Sequence, residues 1–273
     1  MSRHSGRHEL GQNFLTDRAT IARIVDHVAR TDGPIIEIGA GEGAVTLPLE
    51  TLDRPITAVE LDGRLVATLR PRVRRTRVVH ADFGGFDLPR TPHVIVGNLP
   101  FHRTTGMLRR VLAADHWTDA VLLVQWEVAR RRAGVGGATM MTAQWWPWFE
   151  FGLDRRVPAS AFTPRPDVDG GLLTITRRPR PFVPQAQRRD YADLVHDVFT
   201  GPGRGIEDIL TRRFGHRAAV GRWLADNGVP PTVLPRGLTA RQWAALHALA
   251  EQLPVRRPGG ERRSAGRSRP RRR

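Results

Sequence analysis

A group of glycines flanked by acidic side chains is the first feature of the sequence with clear chemical consequences. Residues 37–43 read Glu-Ile-Gly-Ala-Gly-Glu-Gly, and Glu60 follows 21 residues after Gly39. Glycines in a turn let a ligand approach the backbone closely, and a carboxylate after the next strand can accept hydrogen bonds from ribose hydroxyls. The pattern indicates that Gly39, Gly41 and Glu60 bind a ligand that contains a nucleoside.

A further acid, Asp82, stands in the segment Ala-Asp-Phe at residues 81–83. By analogy with Glu60 on the ribose, its carboxylate is placed to accept a hydrogen bond from an adenine amino group. The glycine spacing is one residue shorter than the form typical of dinucleotides. S-adenosyl-L-methionine needs no pyrophosphate cradle and carries a sulfonium cation that acidic groups stabilise. It is therefore the predicted cofactor, and a dinucleotide-dependent oxidoreductase is the alternative.

The segment Asn98-Leu99-Pro100-Phe101 suggests what the cofactor reacts with. The exocyclic amine of adenine is a poor nucleophile, because its lone pair is delocalised into the ring, and it needs hydrogen-bond acceptors that localise that pair. The Asn98 side chain offers one acceptor. Pro100 favours an extended Leu99, whose carbonyl can be the second. Phe101 offers a flat face for a flipped base, so the motif predicts methyl transfer by positioning and hydrogen bonding.

Short apolar segments precede these motifs and have the character of buried strands. They span residues 34–39, 56–60, 77–80, 93–97, 120–124, 149–157 and 172–177. Helical stretches separate the first five, and the short link between the last two is typical of an antiparallel edge. The predicted fold class is α/β, with a Rossmann-like, doubly wound, mostly parallel seven-stranded sheet. Ligands of such sheets bind where the strands end, which brings Gly39 and Asn98 together.

The rest of the chain divides by composition into three parts. The sheet and its cofactor site fall within residues 1–178. After a proline-rich joint, residues 179–253 have helical periodicity and are expected to form a small C-terminal helical domain that binds RNA. Residues 254–273 hold nine arginines and one glutamate, a net charge of +8, and are expected to be a disordered tail.

Charge and cysteine content narrow the class of protein further. The 43 basic side chains are all arginines and outnumber 27 acids, so the net charge of +16 indicates a polyanionic partner. The absence of cysteine excludes disulfides and thiolate metal sites. No apolar run is long enough to span a membrane. His4 and His8 have the spacing of a metal pair but no third ligand, so we expect a cytoplasmic protein without metal or membrane contacts.

Six segments together resemble the rRNA adenine dimethyltransferases, which are class I methyltransferases, and most of all the erythromycin-resistance (Erm) methylases. Two further segments, residues 168–175 and 198–205, favour the Erm branch. The six segments are residues 11–15 (Gly-Gln-Asn-Phe-Leu), 37–43, 59–62 (Val-Glu-Leu-Asp), 98–101, 125–129 (Gln-Trp-Glu-Val-Ala) and 162–168 (Phe-Thr-Pro-Arg-Pro-Asp-Val).

The resemblance implies a role for each matching residue of the cofactor site. The residues implied to line this site are Asn13, Leu15, Gly39, Glu60 and Asp82, with the last three on the methionine, ribose and adenine parts. Asn98 is implied to touch both the cofactor and the target amine.

The resemblance also implies the substrate. Erm enzymes methylate the exocyclic amine of one adenine in the peptidyl-transferase loop of 23S rRNA, which blocks macrolides, lincosamides and type B streptogramins. Phe101 and Phe162 would sandwich that base. Phe101 stands where the family often has tyrosine, so only a polar contact of that hydroxyl is in doubt. We expect a monomer that acts on 23S rRNA before ribosome assembly is complete.

Two alternatives remain open at this stage. The small-subunit (16S) rRNA dimethyltransferase shares the fold, the cofactor and the Asn-Leu-Pro motif, but it usually has an Arg-Arg-Lys type of segment where this chain has Gly203-Arg204-Gly205. A non-catalytic nucleic-acid-binding factor could keep the same fold. Intact Asn98 and Glu60 argue against that second alternative.

Overall fold

The computed structural model describes residues 12–253. The predicted tail, residues 254–273, and the pair His4 and His8 lie outside the described residues. The strands are β1 (Phe14–Leu15), β2 (Ile35–Ile38), β3 (Ile56–Glu60), β4 (Arg77–His80), β5 (His93–Asn98), β6 (Trp117–Gln125), β7 (Phe149–Val157), β8 (Phe162–Thr163) and β9 (Gly170–Arg177). The α-helices are α1 (Arg18–Ala29), α2 (Thr46–Leu49), α3 (Gly63–Leu69), α4 (Thr104–Ala113), α5 (Trp126–Arg132), α6 (Met140–Trp145), α7 (Arg188–Thr200), α8 (Ile206–Phe214), α9 (Arg217–Asp226) and α10 (Ala240–Gln252).

Seven of the strands form one sheet in the order β4-β3-β2-β5-β6-β9-β7. The pairs from β4 to β6 are parallel, whereas β9 is antiparallel to both β6 and β7. The predicted α/β class and mostly parallel seven-stranded sheet are confirmed. β2 and β5 are neighbours, and their shared C-terminal edge carries both the glycine turn and Asn98.

A second, two-stranded sheet was not predicted. β1 pairs antiparallel with β8, and Leu15 stands opposite Phe162. The Ala161 carbonyl accepts hydrogen bonds from the backbone N–H groups of Thr16 and Asp17, at 2.8 and 3.3 Å. Strands of two residues have no readable periodicity, so only the fold reveals that the N-terminal segment is tied to the segment before β9.

α1 begins after an N-cap at Asp17. Asp17 accepts hydrogen bonds from the N–H and hydroxyl of Thr20, at 2.7 and 2.6 Å. The helix buries Ile24 and Val28. Arg23, near the middle of the helix, forms a bidentate ion pair with Asp154 in β7, so α1 is tied to the main sheet by this ion pair.

The helices after residue 184 pack onto the sheet region through a shared apolar core. Tyr191 of α7 makes an edge-to-face contact with Trp148, and its hydroxyl donates to the Ala143 carbonyl at 2.8 Å. Trp148 and Trp117 are buried in the same core. Since one core runs across the predicted boundary at residues 178 and 179, the division into two domains stays a prediction.

Candidate active site

A cavity of about 790 Å³ opens at the C-terminal edge of β2, β3 and β5. It has the size typical of small-molecule sites. The predicted site residues that line it are Asn13, Leu15, Gly39, Gly41, Glu60, Asp82, Asn98, Leu99, Pro100 and Phe101. Phe162 lies beside this cavity through its contact with Phe101. The fold therefore assembles segments that are far apart in sequence.

The turn after β2 depends on its glycines. Gly41 has a φ of +56°, in the left-handed region, and a Cβ atom there would lie 3.2 Å from the Phe14 ring. Its N–H donates to Glu60 Oε2 at 2.8 Å. A side chain at residue 41 would therefore strain the backbone and crowd Phe14, which closes one side of the cavity.

Glu60 is buried at the end of β3, with both carboxylate oxygens hydrogen-bonded to the backbone. Oε2 accepts from Gly41 N–H at 2.8 Å, and Oε1 accepts from Asp62 N–H at 2.9 Å. Each carboxylate oxygen has a second lone pair, so Glu60 can still accept hydrogen bonds from a ligand. The backbone contacts fix the direction in which the carboxylate presents these lone pairs.

Glu37 is a buried acid in the cavity wall to which the sequence assigned no separate role. Burial raises the pKa of Glu37 to about 8, and the Glu60 carboxylate adds to this rise. Within residues 12–253, Glu37 Oε2 has no hydrogen-bond partner. Glu37 is therefore mostly protonated at neutral pH and can donate a hydrogen bond as well as accept one.

Asp82 lines the cavity and is half-exposed. Its Oδ1 accepts from Gly84 N–H at 2.8 Å, and its Oδ2 lies 3.5 Å from Arg103 Nη2. The Gly84 hydrogen bond, followed by the Arg103 charge, lowers the pKa of Asp82. The ionised carboxylate keeps free acceptor positions toward the cavity.

Asn98 ends β5 with a defined amide orientation. Its Nδ2 donates to the main-chain carbonyl of Asn13 at 2.7 Å. A carbonyl oxygen can only accept, so the NH₂ group must face Asn13, and this settles the choice between the two amide orientations. Asn98 therefore keeps Oδ1 as an acceptor for another group.

Phe101 and Phe162 are brought together, but not as two parallel plates. Their ring centroids are 5.7 Å apart and the ring planes are inclined by 72°. Phe162 is buried and Phe101 is partly exposed. Edge-to-face contact leaves no space for a base between the rings, so the predicted sandwich requires one of the two rings to rotate.

Beyond the ten predicted residues, the cavity is lined by further residues that sequence reasoning did not predict, among them Phe14, Arg103 and Met107. Phe14 stands against the glycine turn, while Arg103 and Met107 come from the start of α4. Phe14 lies between the predicted residues Asn13 and Leu15, and this position was a usable signal. No sequence pattern predicted Arg103 and Met107 as site residues, because only the packing of α4 beside β5 brings them to the cavity.

Neither metal ligation nor membrane insertion is visible in the part of the chain that the structure describes. No group of three or more His, Cys, Asp or Glu side chains in residues 12–253 could hold a metal ion. None of the helices in this range combines the length and hydrophobicity needed to cross a bilayer.

Comparison with known proteins places the chain in a family. The model of the family described as ribosomal RNA adenine dimethylase matches residues 3–248. An rRNA adenine N-6-methyltransferase of Corynebacterium diphtheriae is 59% identical over 76% of this chain and 83% of its own length. The mycinamicin-resistance protein MyrB of Micromonospora griseorubida is 49% identical over 92% of this chain and 81% of its own.

A solved structure agrees with these relatives. The crystal structure of the 23S rRNA methyltransferase ErmE superposes with a TM-score of 0.80 and 33% sequence identity, covering 88% of this chain and 100% of the other. The resemblance to Erm enzymes that the motifs predicted is confirmed. The chain therefore belongs to the ribosomal RNA adenine dimethylase family, as a methyltransferase of the erythromycin-resistance type.

Proposed function

We propose that the protein transfers a methyl group from S-adenosyl-L-methionine to the exocyclic N6 of a single adenine in the peptidyl-transferase loop of 23S rRNA. This modification confers resistance to macrolides, lincosamides and type B streptogramins. The names of MyrB, a mycinamicin-resistance protein, and ErmE, a 23S rRNA methyltransferase, support this proposal. The observation that carries it is the hydrogen bond from Asn98 to Asn13, which leaves Asn98 Oδ1 as an acceptor at the cavity.

The polar groups that line the cavity fit S-adenosyl-L-methionine. Glu60 has free lone pairs for two ribose hydroxyls, and half-exposed Asp82 can accept from an adenine amino group. Asn13 and Leu15, with the turn at Gly39, would hold the methionine part. When bound, the cofactor supplies an electrophilic methyl group on a sulfonium centre. Nearby carboxylates favour that cation, whereas the rest of the protein is strongly basic.

Two acceptors would activate the target amine. Asn98 Oδ1 is one of them. The Leu99 carbonyl accepts no backbone hydrogen bond from residues 12–253, while the Leu99 N–H donates to the Leu123 carbonyl at 2.9 Å and holds the peptide in place. Pro100 restricts Leu99 to extended conformations. Acceptors fixed before the substrate arrives lower the cost of orienting the amine for attack.

Phe101 and Phe162 would hold the target base on its two faces. Phe162 is packed against Gly170, because a Cβ at residue 170 would lie 3.1 Å from its ring. Phe101 is the more exposed of the two rings. Rotation of Phe101 away from the edge-to-face contact would open the gap, and the entering base would replace that contact by stacking.

The remaining parts of the protein would bind the RNA. Residues 179–253 form the proposed RNA-binding domain, and the arginine-rich residues 254–273 add non-specific affinity for phosphates. We place the reaction in the cytoplasm, with a monomer acting on 23S rRNA before ribosome assembly is complete.

Incubation of the full chain with labelled S-adenosyl-L-methionine and protein-free 23S or 16S rRNA tests the proposal, with primer extension to map the methylated position. A single stop in the peptidyl-transferase loop of 23S rRNA is the expected result. A stop in 16S rRNA would instead identify a small-subunit enzyme. RNA binding without any incorporation of label would identify a non-catalytic factor.

A further inference from the structure

Two consecutive glycines at the start of β9 separate two aromatic side chains. A Cβ at Gly170 would lie 3.1 Å from the Phe162 ring, and a Cβ at Gly171 would lie 3.2 Å from the Trp126 ring. Successive residues of a strand face opposite sides, so Phe162 and Trp126 lie against the two faces of β9. Trp126 is therefore separated from the proposed site of the target base only by the backbone of this strand.

Trp126 supports an arginine in a preassembled position. The Arg156 guanidinium lies 5.5 Å from the centre of the Trp126 ring, and Arg156 Nε is 2.7 Å from Asp169 Oδ2. Asp169 is itself held, because its Oδ1 accepts from Ala159 N–H at 2.8 Å and its carbonyl accepts from Trp126 N–H at 2.9 Å. The ion pair with Asp169 orients the Arg156 side chain, which is still 62% exposed to solvent.

The strand registers place this arrangement at the edge where the reaction would occur. Asn98 stands opposite Leu123 on β6, and Gln125, two residues further along β6, stands opposite Gly170. Trp126 follows directly. Adjacent strands are about 4.8 Å apart. Arg156 in β7 stands opposite Gly171, so it lies at the same edge of the sheet as Asn98 and three strands, or about 14 Å, away. This distance is within reach of the nucleotides next to an adenine that is delivered to Asn98.

We propose that the outer face of the Arg156 guanidinium, backed by Trp126, is a stacking site for the unpaired nucleobase adjacent to the target adenine. This inference rests on the proposed function, which supplies the flipped adenine. Guanidinium planes and aromatic rings are the groups on which proteins stack unpaired bases. The Asp169 ion pair and the contact with Trp126 restrict the guanidinium before the RNA binds, which lowers the cost of ordering it.

Substitutions at Arg156 test the stack. With an RNA hairpin that contains the methylated adenine, Arg156→Ala is expected to raise the KM for RNA and the Kd by about tenfold, or about 1.4 kcal/mol, and to change kcat by less than about threefold. Arg156→Lys is expected to resemble Arg156→Ala, since lysine keeps the charge but not the planar group. An Arg156→Lys enzyme with normal KM and Kd would overturn the proposal.

A matched control comes from the opposite edge of the sheet. Arg75, shortly before β4, forms an ion pair with Asp53, shortly before β3, and the Arg75 side chain is 74% exposed. Arg75→Ala removes an exposed, ion-paired guanidinium near the N-terminal ends of these strands, whereas Asn98 stands at the C-terminal end of β5. The KM and Kd for RNA should stay within about twofold of the wild type.

Abasic RNA identifies the partner base without changing the protein fold. Removing the base on one side of the target adenine should weaken binding to the wild type about tenfold, and should cost Arg156→Ala nothing further. Equal losses in both proteins would refute the stack. Binding is measured by fluorescence anisotropy, which does not require methyl transfer. The measurement therefore tests the stack even if neither rRNA is methylated. Absence of methylation would refute only the proposed function.

Discussion

The side-chain amide of Asn98 donates a hydrogen bond to the main-chain carbonyl of Asn13 across a separation of 85 residues. Asn13 precedes β1, which is held by its pairing with β8. The orientation of the amide therefore depends on a small sheet outside the main one. This link explains how the N-terminal segment can influence chemistry at the end of β5.

Replacement of Asn98 tests the acceptor role directly. Asn98→Ala removes Oδ1 and is expected to abolish methyl transfer, while the affinity for the cofactor stays within about tenfold, or ~1.4 kcal/mol. Calorimetric titration with S-adenosyl-L-methionine measures binding, and label incorporation measures turnover. Turnover near that of the wild type would refute the mechanism.

The exposed ring of Phe101 is expected to act by stacking alone. Phe101→Ala should cost on the order of 1–3 kcal/mol of transition-state stabilisation, read from kcat/KM for RNA. Phe101→Tyr keeps the aromatic face and should be tolerated. Equal damage by the two substitutions would argue against stacking.

Glu37 should make the protein less stable as the pH rises. Burial raises the pKa of its carboxyl from 4.5 to about 8, so the folded state retains a proton that the unfolded state releases. Stability from this group is complete below pH 4.5 and falls as the pH approaches 8, by up to about 1.4 kcal/mol per pH unit. Glu37→Gln cannot ionise. Urea unfolding should therefore show the variant gaining stability relative to the wild type between pH 5 and pH 8, and a constant difference would contradict the assignment.

Asp154 should have the opposite dependence on pH. Its hydrogen bonds to Arg23, and then to His27, lower the pKa of this carboxyl to about 2. The stabilisation is present above pH 3.8 and is lost as the pH falls through about 2. Asp154→Asn is expected to lower the free energy of unfolding at pH 7 by roughly 2 kcal/mol. The difference from the wild type should shrink in acid, and a deficit that is the same at pH 2.5 and pH 7 would show that the charge is not responsible.

Removal of residues 254–273 should weaken RNA binding without redirecting it. The segment contributes a net charge of +8, so its effect should be largest at low salt and should fade as the salt concentration rises. Filter binding across a salt series measures this dependence. Primer extension provides the control, because the methylated nucleotide should remain the same in the shortened protein.

Much of the fold and site could be predicted because the relevant signals are local. Buried strands of a parallel sheet are continuous apolar runs, and the residues at their ends, such as Gly39, Glu60 and Asn98, must meet at one edge once the strands are parallel. The sequence therefore determined the α/β class, the edge that holds the site and the ten predicted residues that line it.

Only the tertiary structure decided the features that depend on contacts between distant segments. β1 and β8 are too short to carry a periodic signal, yet their pairing places Asn13 against Asn98. The raised pKa of Glu37 follows from how completely the cavity wall buries it. The edge-to-face angle of Phe101 and Phe162, and the support of Arg156 by Trp126, depend on side-chain packing across strands. Spacing along the chain indicates which residues can meet at one edge of the sheet. The burial and orientation of their side chains depend on all the neighbours that pack around them in three dimensions.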